Sequence, residues 1–302
     1  MINEDTRTRR VIIDSDVKNE ADDQFAVMHA LLSPTLDIRG IIPAHFGTAR
    51  TETSMLDSRA ELERLYALSG LSAPIANGAA HALPSETEPV DSPGARLIID
   101  EARRTGAGPL SVAFLGPLTD MASALLLAPD IVDTDTTVIW IGGPPYGDRE
   151  WVGTWPEFNL RNDIASANVV FASGIRIQQV PANVYRMVNV GYAELERRVE
   201  PCGEVGAYLA QTVVDFNTAH HRFPTESRSL GDSPAIALML DPWCAEFRRQ
   251  RPVRFSDTGH CVPAATGSSP LVVDRVDVRW LMEDMFAKLA SHAERRRDQP
   301  GR

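Results

Sequence analysis

Five of the ten residues from Asp14 to Asp23 (Asp-Ser-Asp-Val-Lys-Asn-Glu-Ala-Asp-Asp) are acidic, and they follow directly on the apolar run Val11-Ile-Ile13. Carboxylates crowded in this way raise one another's pKa and lose hydration when buried, so the stretch needs a cation or a hydroxyl-rich ligand to offset it. Residues two apart on a strand point to the same side, so Asp14 and Asp16 aim together. Asp22 and Asp23 fall where a helix should open, and there the helix dipole tolerates negative charge. A single aspartate at that place reads as an N-cap and nothing more. Four aspartates framing one strand-to-helix turn point instead to a hard cation, calcium or magnesium rather than zinc. The run is not an EF-hand, because Lys18, Asn19 and Phe25 stand at positions five, six and twelve of such a loop.

The elements that must position these groups follow from the apolar pattern. Short buried-type runs at Val11–Ile13, Ile38–Pro43, Leu110–Leu115, Thr137–Ile141 and Ile175–Val180 alternate with helical patterns. The helices are expected near Gln24–Leu32, Glu52–Leu68, Gly94–Arg104, Pro117–Leu127, Ile164–Ala172, Cys202–Ala219, Ser233–Leu240 and Trp280–Arg295. Pro74–Ala76, Val253–Phe255 and Leu271–Val273 read as further short strands. Strands apolar on both sides, alternating with helices, imply an α/β fold: one domain over 1–302, a mainly parallel open sheet flanked by helices. Residues 1–9 and 295–302 read as disordered tails. In such sheets ligands bind beyond the carboxyl ends of the strands, which is where Asp14, Asp16, Leu115-Gly116-Pro117 and Gly142-Gly143 fall.

The bulk composition narrows the partners. A net charge of −11 argues against nucleic-acid polymers and membrane surfaces, which need basic protein surface. Lys18 and Lys288 are the only lysines, so nearly all positive charge is arginine. Cys202, Cys244 and Cys261 lie far apart without a CxxC, which excludes a disulfide scaffold and a zinc ribbon. The opening MINEDTRTRR has no apolar stretch of signal-peptide type, and nothing later approaches the roughly 20 apolar residues of a membrane span. A cytoplasmic location is the expectation.

Two enzyme families end a strand in Ile-Ile-Asp-Ser-Asp-Val. Haloacid-dehalogenase-type phosphatases do so with a covalent aspartate and a magnesium ion, but they need a downstream lysine to hold the phosphate. No lysine stands between Lys18 and Lys288. The inosine-uridine-preferring nucleoside hydrolases fit more of the chain. Their Asp-x-Asp-Pro-Gly-x-Asp-Asp signature resembles Asp14-Ser-Asp16 followed by Asp22-Asp23, with a spacer two residues longer and without Pro-Gly. Ile38-Arg-Gly-Ile-Ile42, Ala113-Phe-Leu-Gly-Pro-Leu-Thr-Asp120 and Ile139-Trp-Ile-Gly-Gly143 resemble family segments in the same order. So do Pro156-Glu-Phe-Asn159 with Asp163, and Gly231-Asp232-Ser-Pro-Ala235.

This resemblance implies calcium-dependent hydrolysis of a ribonucleoside to ribose and free base, in a homodimer or homotetramer. By it, Asp16, Asp23 and Asp232 hold Ca²⁺ together with the Leu115 carbonyl, and Asp14 supports Asp16; Asn19, in the longer spacer, is a further supporting candidate. Asp22, Glu157 and Asn159 hold sugar hydroxyls. Asp16 would take the proton from the attacking water, and the carboxylates would favour an oxocarbenium-like transition state.

The departures concern the leaving group. A family asparagine in the loop after the second strand falls on Gly47, where His45 is the nearest substitute; another falls on Trp151. A histidine that often precedes the late aspartate is Gly231 here. The candidates for the missing half are Tyr185, Arg186, His220, His221 and Phe223. The rebuilt side favours a modified base, and the missing histidine leaves a second reading, a non-catalytic Ca²⁺ and ribose-binding protein.

Overall fold

The computed structural model describes residues 8–147 and 155–298. From the amino end come β1 (Arg9–Ser15), α1 (Asp23–Leu31), β2 (Leu36–Pro43), α2 (Ser54–Ser69), α3 (Pro93–Ala102), β3 (Leu110–Phe114), α4 (Thr119–Leu127) and β4 (Thr136–Ile141). Then follow α5 (Phe158–Asn162), α6 (Ile164–Ala172), β5 (Arg176–Val180), α7 (Ala182–Tyr185), β6 (Asn189–Gly191), α8 (Tyr192–Arg198) and α9 (Gly203–His220). The chain closes with β7 (Ser227–Ser229), α10 (Ser233–Leu240), β8 (Ala245–Arg249), β9 (Val253–Phe255), β10 (Cys261–Pro263), β11 (Leu271–Val276) and α11 (Val278–Asp298).

Seven strands form one sheet in the order β2-β1-β3-β4-β5-β11-β8, parallel throughout except for β8 at the edge. The expected single-domain α/β fold, a mainly parallel sheet flanked by helices, is what the chain adopts. β1 lies between β2 and β3, so the chain leaves it on one side and returns on the other. That reversal opens a crevice at the strand ends, the usual place for a ligand in such sheets.

β1 is buried from Arg10 onward because helices cover both of its faces. Val11 and Ile13 pack with α1, α2, α9, α10 and α11, while Ile12 packs on the other face with α3, α4 and α6. The alternation carries into the acidic run. Ser15 continues the Val11 and Ile13 side and reaches α1, whereas Asp14 continues the Ile12 side and meets Asp120 of α4.

Trp140 of β4 is the largest fully buried side chain among the described residues, edge-on to Phe171 and Phe255 at ring distances of 5.8 and 6.2 Å. Its indole N–H donates to the Gly116 carbonyl at 3.1 Å and so braces the turn after β3. The backbone of Gly142 runs across the same indole, and an added Cβ would come within 2.3 Å of it.

Several expectations need adjustment. Val253–Phe255 pairs with β10 in a separate ribbon rather than joining the sheet. Pro74–Ala76 contributes one isolated bridge, Ile41 to Ile75. The edge strand β8, Ala-Glu-Phe-Arg-Arg, gives no apolar alternation because much of it faces solvent. The final helix runs to Asp298, into the segment read as a tail, and β1 already begins at Arg9. No described helix is long and apolar enough to cross a membrane.

Removing the indole should be costly. We expect Trp140→Ala to lower unfolding stability by about 3–5 kcal/mol, as for other buried aromatic truncations. Denaturant unfolding would measure it, and a loss below about 1 kcal/mol would show that the neighbours collapse into the space.

Candidate functional site

The acidic run lies buried at the β1–β3 crevice. Asp14, Asp16, Asp23 and Asp232 are each at most 4% exposed, and they meet as the sequence suggested. Asp22 and Asp232 are the N-cap residues of α1 and α10, yet neither side chain caps its own helix. The Asp22 Oδ2 instead accepts the Gly231 N–H at 3.1 Å, across the crevice. The two helix N-termini therefore face one small volume, and their dipoles offset part of its negative charge.

Asp22, Asp23 and Asp232 bring carboxylate oxygens within 4.8 Å of one another, the arrangement that could hold a metal ion. This triplet differs by one member from the expected set, since Asp22 is in it and Asp16 adjoins it. One oxygen of Asp16 and both of Asp14 are buried without an N–H or hydroxyl partner. Gly116 leaves room for Asp16, because a Cβ there would stand 2.9 Å from Oδ1.

Burial raises the pKa of every carboxyl in the group. Asp14 is pushed well above the ordinary range by desolvation, then by Asp120; Asp120 itself is raised by burial. Asp16 and Asp232 are raised by burial and then by Asp23. Burial pushes Asp22 up to about 6 against the pull of Arg228. Asp23 rises to about 7 through burial and the Asp22 charge, although Ser15 donates to its Oδ1 at 2.6 Å.

Glu157 and Asn159 form the opposite wall. Glu157 caps α5, accepting from Asn159 N at 3.2 Å and Leu160 N at 3.0 Å. It also accepts from Gly143 N at 2.8 Å and from the Tyr185 hydroxyl at 2.8 Å. Gly143 presents that N–H from a left-handed conformation, φ 81°. The Asn159 amide donates to the carbonyls of Leu115 (2.6 Å) and Ile141 (2.8 Å), tying β3, β4 and α5 together beside the cluster.

His45 is placed differently from the expectation. It is buried, its Nδ1 accepts the Gly47 N–H at 3.2 Å, and its Nε2 lies 2.8 Å from Thr119 Oγ1. Thr119 in turn donates to Asp163, which caps α6. Burial pushes His45 down to about 4, so it stands as a neutral, fully engaged structural ring outside the crevice. Trp151 lies outside the described residues.

The three charged or polar members of the long spacer all reach outward. Lys18 pairs with Glu61 at 2.9 Å, Asn19 Oδ1 accepts from Arg50 at 2.9 Å, and Glu20 is bonded to Arg228. Asn19 also closes the turn through its N–H to the Asp16 carbonyl at 2.7 Å. Beyond them a cleft of about 640 Å³ opens over the cluster, and Tyr185, Arg186, His220 and His221 all line it. His220 is additionally held to the Phe216 carbonyl of its own helix at 2.9 Å. Sequence reasoning missed Asp120, Phe158, Phe216 and Arg228; a lone arginine or phenylalanine carries no local signal.

The profile of the family described as inosine-uridine preferring nucleoside hydrolase matches residues 11–283. The pyrimidine-specific ribonucleoside hydrolase RihA of Salmonella typhimurium is 26% identical over 259 residues, 77% of this chain and 79% of that one. A probable uridine nucleosidase of Arabidopsis thaliana is 24% identical, covering 70% of this chain and 71% of its own. Among solved structures, the purine-preferring ribonucleoside hydrolase of Gardnerella vaginalis superposes with a TM-score of 0.76 at 21% identity, covering 95% and 99% of the two chains. The family match over nearly the whole chain shows that this protein belongs to the nucleoside hydrolases, enzymes that cleave the N-glycosidic bond of ribonucleosides.

The raised carboxyls give a pH test of the metal-free protein. A carboxyl whose pKa is higher folded than unfolded adds stability below its unfolded value, and that stability is lost as pH rises through the folded value. With Asp22 near 6 and Asp23 near 7, the loss should fall between about pH 4 and pH 7. In chelator, we expect the thermal midpoint to be lower at pH 8 than at pH 5.5, and a divalent cation to restore more at the higher pH. Equal midpoints at both pH values in chelator would refute a cluster strained by its own charge.

Proposed function

We propose, with membership of the inosine-uridine preferring nucleoside hydrolase family as the premise, that this enzyme is calcium-dependent and acts on a ribonucleoside with a modified or nonstandard base. The observation that carries the metal reading is the convergence of buried aspartates, with an oxygen of Asp16 left unpartnered, beside two helix N-termini. The donor set is entirely oxygen and suits a hard divalent ion; Asp16, Asp23, Asp232 and the Leu115 carbonyl would hold it, with Asp22 within reach. A bound calcium supplies the charge that orients the sugar and makes a water molecule acidic.

The chain's own residues then do the following. Asp16 takes the proton from the attacking water, whose oxygen bonds to the anomeric carbon as the bond to the base nitrogen breaks. Asp22, Glu157 and Asn159 grip the sugar hydroxyls, and the carboxylate charge of Asp22 and Glu157 favours the oxocarbenium-like transition state. Glu157 is the most firmly held of the three, with four donors fixing it. Asp14 and Ser15 position the cluster from β1.

The departing base takes the bonding electron pair and needs a proton. Tyr185 is the best placed source. Its hydroxyl sits on Glu157, and burial holds the phenol well above its ordinary pKa, so it stays protonated at neutral pH. Arg186, His220 and His221 stand farther out in the cleft. The relatives divide between pyrimidine-specific and purine-preferring, and this supports treating the base as the variable part of the reaction.

We expect Asp16→Asn and Asp232→Asn to reduce release of reducing sugar from nucleosides by at least about a thousandfold while the circular dichroism spectrum is kept. Chelator should do the same to the unmutated enzyme, and calcium should restore it better than magnesium. Turnover near that of the unmutated enzyme in either variant would sink the assignment.

A further inference from the structure

The cleft beyond the carboxylates has the opposite charge character, and its construction is specific. Phe158 and Phe216 line it, and arginine guanidiniums already lie against both rings. Arg161 stands 4.6 Å from the Phe158 centroid and Arg50 stands 6.0 Å from it. Arg50 is 5.7 Å and Arg228 4.1 Å from the centroid of Phe216. Phenyl and guanidinium groups thus alternate along the wall, from Arg161 through Phe158, Arg50 and Phe216 to Arg228.

These arginines differ in how their charge is met. Arg228 is bonded to Glu20. Among the described residues Arg50 donates to the backbone and side-chain oxygens of Asn19, which are neutral acceptors, and pairs with no carboxylate. No carboxylate among the described residues pairs with Arg161. Among the described residues the acids lining the cleft are Glu20, Asp22 and Glu157; all three also border the carboxylate cluster and all are already engaged. Two uncompensated guanidiniums therefore face the space into which the non-sugar part of a substrate must extend.

A guanidinium resting on a ring face keeps its N–H edges for acceptors in its own plane, and those edges match a carboxylate or phosphate. An uncharged base stacking on Phe158 or Phe216 would have to move a guanidinium aside, whereas an anion gains from leaving it in place. We infer that this cleft selects a nucleoside carrying an anionic group, bound by Arg50 and Arg161. The inference rests on the nucleoside-hydrolase reading of the adjoining cluster and specifies its substrate class. The anion could be a carboxylate on the base or a phosphate on the sugar, and the test separates them.

Uridine-5-carboxylate and uridine-5-carboxamide are nearly isosteric and differ in charge; uridine 5′-monophosphate and uridine differ in the phosphate. On the unmutated enzyme with its metal, we expect one anionic member to exceed its neutral counterpart in kcat/KM by about tenfold or more, and the advantage to shrink as salt is raised. An advantage for the carboxylate places the anion on the base, and one for the monophosphate places it on the sugar. In Arg161→Gln and Arg50→Gln the ratio should fall toward one. Calorimetry of the same four compounds on the unmutated protein reads the preference independently of turnover. If none is hydrolysed, the reaction assigned above fails, yet preferential binding of an anion would still support the inference. Ratios near one in both kinetics and binding, or a ratio that survives both substitutions, would overturn it.

Discussion

Six carboxyls, those of Asp14, Asp16, Asp22, Asp23, Asp120 and Asp232, are packed around the end of one strand, and their loss of hydration, with repulsion between neighbours second, is the constraint the rest of the structure answers. Each is raised above the ordinary carboxylate range mainly because it has lost water. The fold offsets that cost largely with local neutral donors and helix ends, with Arg228 pulling Asp22 down from the rim. Two helices point their N-termini at the group, Ser15 donates to Asp23, and Asp120 collects the Ser92 hydroxyl and the Ala79 N–H. What these donors leave over, above all the unpartnered oxygens of Asp14 and Asp16, is the part a cation would neutralise. The strand alternation of β1 divides the work: its odd residues lead through Ser15 to α1, and its even ones through Asp14 to α4.

Charge is then segregated along one line running outward from the sheet. Carboxylates occupy the floor and guanidiniums the rim, and the spacer 17–21 joins them. Its extra length has a mechanical meaning, because Lys18, Asn19 and Glu20 each fasten a different element: α2 through Glu61, the loop after β2 through Arg50, and β7 through Arg228. A shorter turn could close the metal side equally well but would have no residues left to hold the two arginines that shape the wall. Glu20 is the point where the two regimes meet, an acid of the run paired with a base of the rim.

Most of the floor was legible in the sequence because it is local. An apolar run ending in Asp-x-Asp with Asp-Asp six residues on declares its strand, its helix and its charge together. Glu157 and Asn159 were legible through the resemblance of Pro156-Glu-Phe-Asn159 to a family segment. The wall was not legible, since Phe158, Phe216, Arg50, Arg161 and Arg228 are spread over four segments and meet only when β7 and α9 close on the sheet. His45 illustrates the converse. A histidine near a missing asparagine looked like a replacement, but hydrogen-bond satisfaction decided its position, because a buried ring between Gly47 and Thr119 has no donor left to offer a sugar.

Gly231 and Tyr185 share one space beside the floor. A Cβ at position 231 would stand 2.9 Å from Tyr185 Cδ2 and 3.2 Å from Asp22 Oδ2, so any side chain there competes with the tyrosine ring for one space. With glycine present the phenol fills that space, and its hydroxyl reaches Glu157. The Gly231 N–H meanwhile stays free to hold Asp22. One small residue therefore serves both sides, admitting the Tyr185 hydroxyl from α7 and fixing a cluster carboxylate from the backbone. Restoring a side chain at 231 would not simply add a proton donor. It would crowd both the Tyr185 ring that reaches Glu157 and the carboxyl of Asp22, so positions 185 and 231 are coupled through one space.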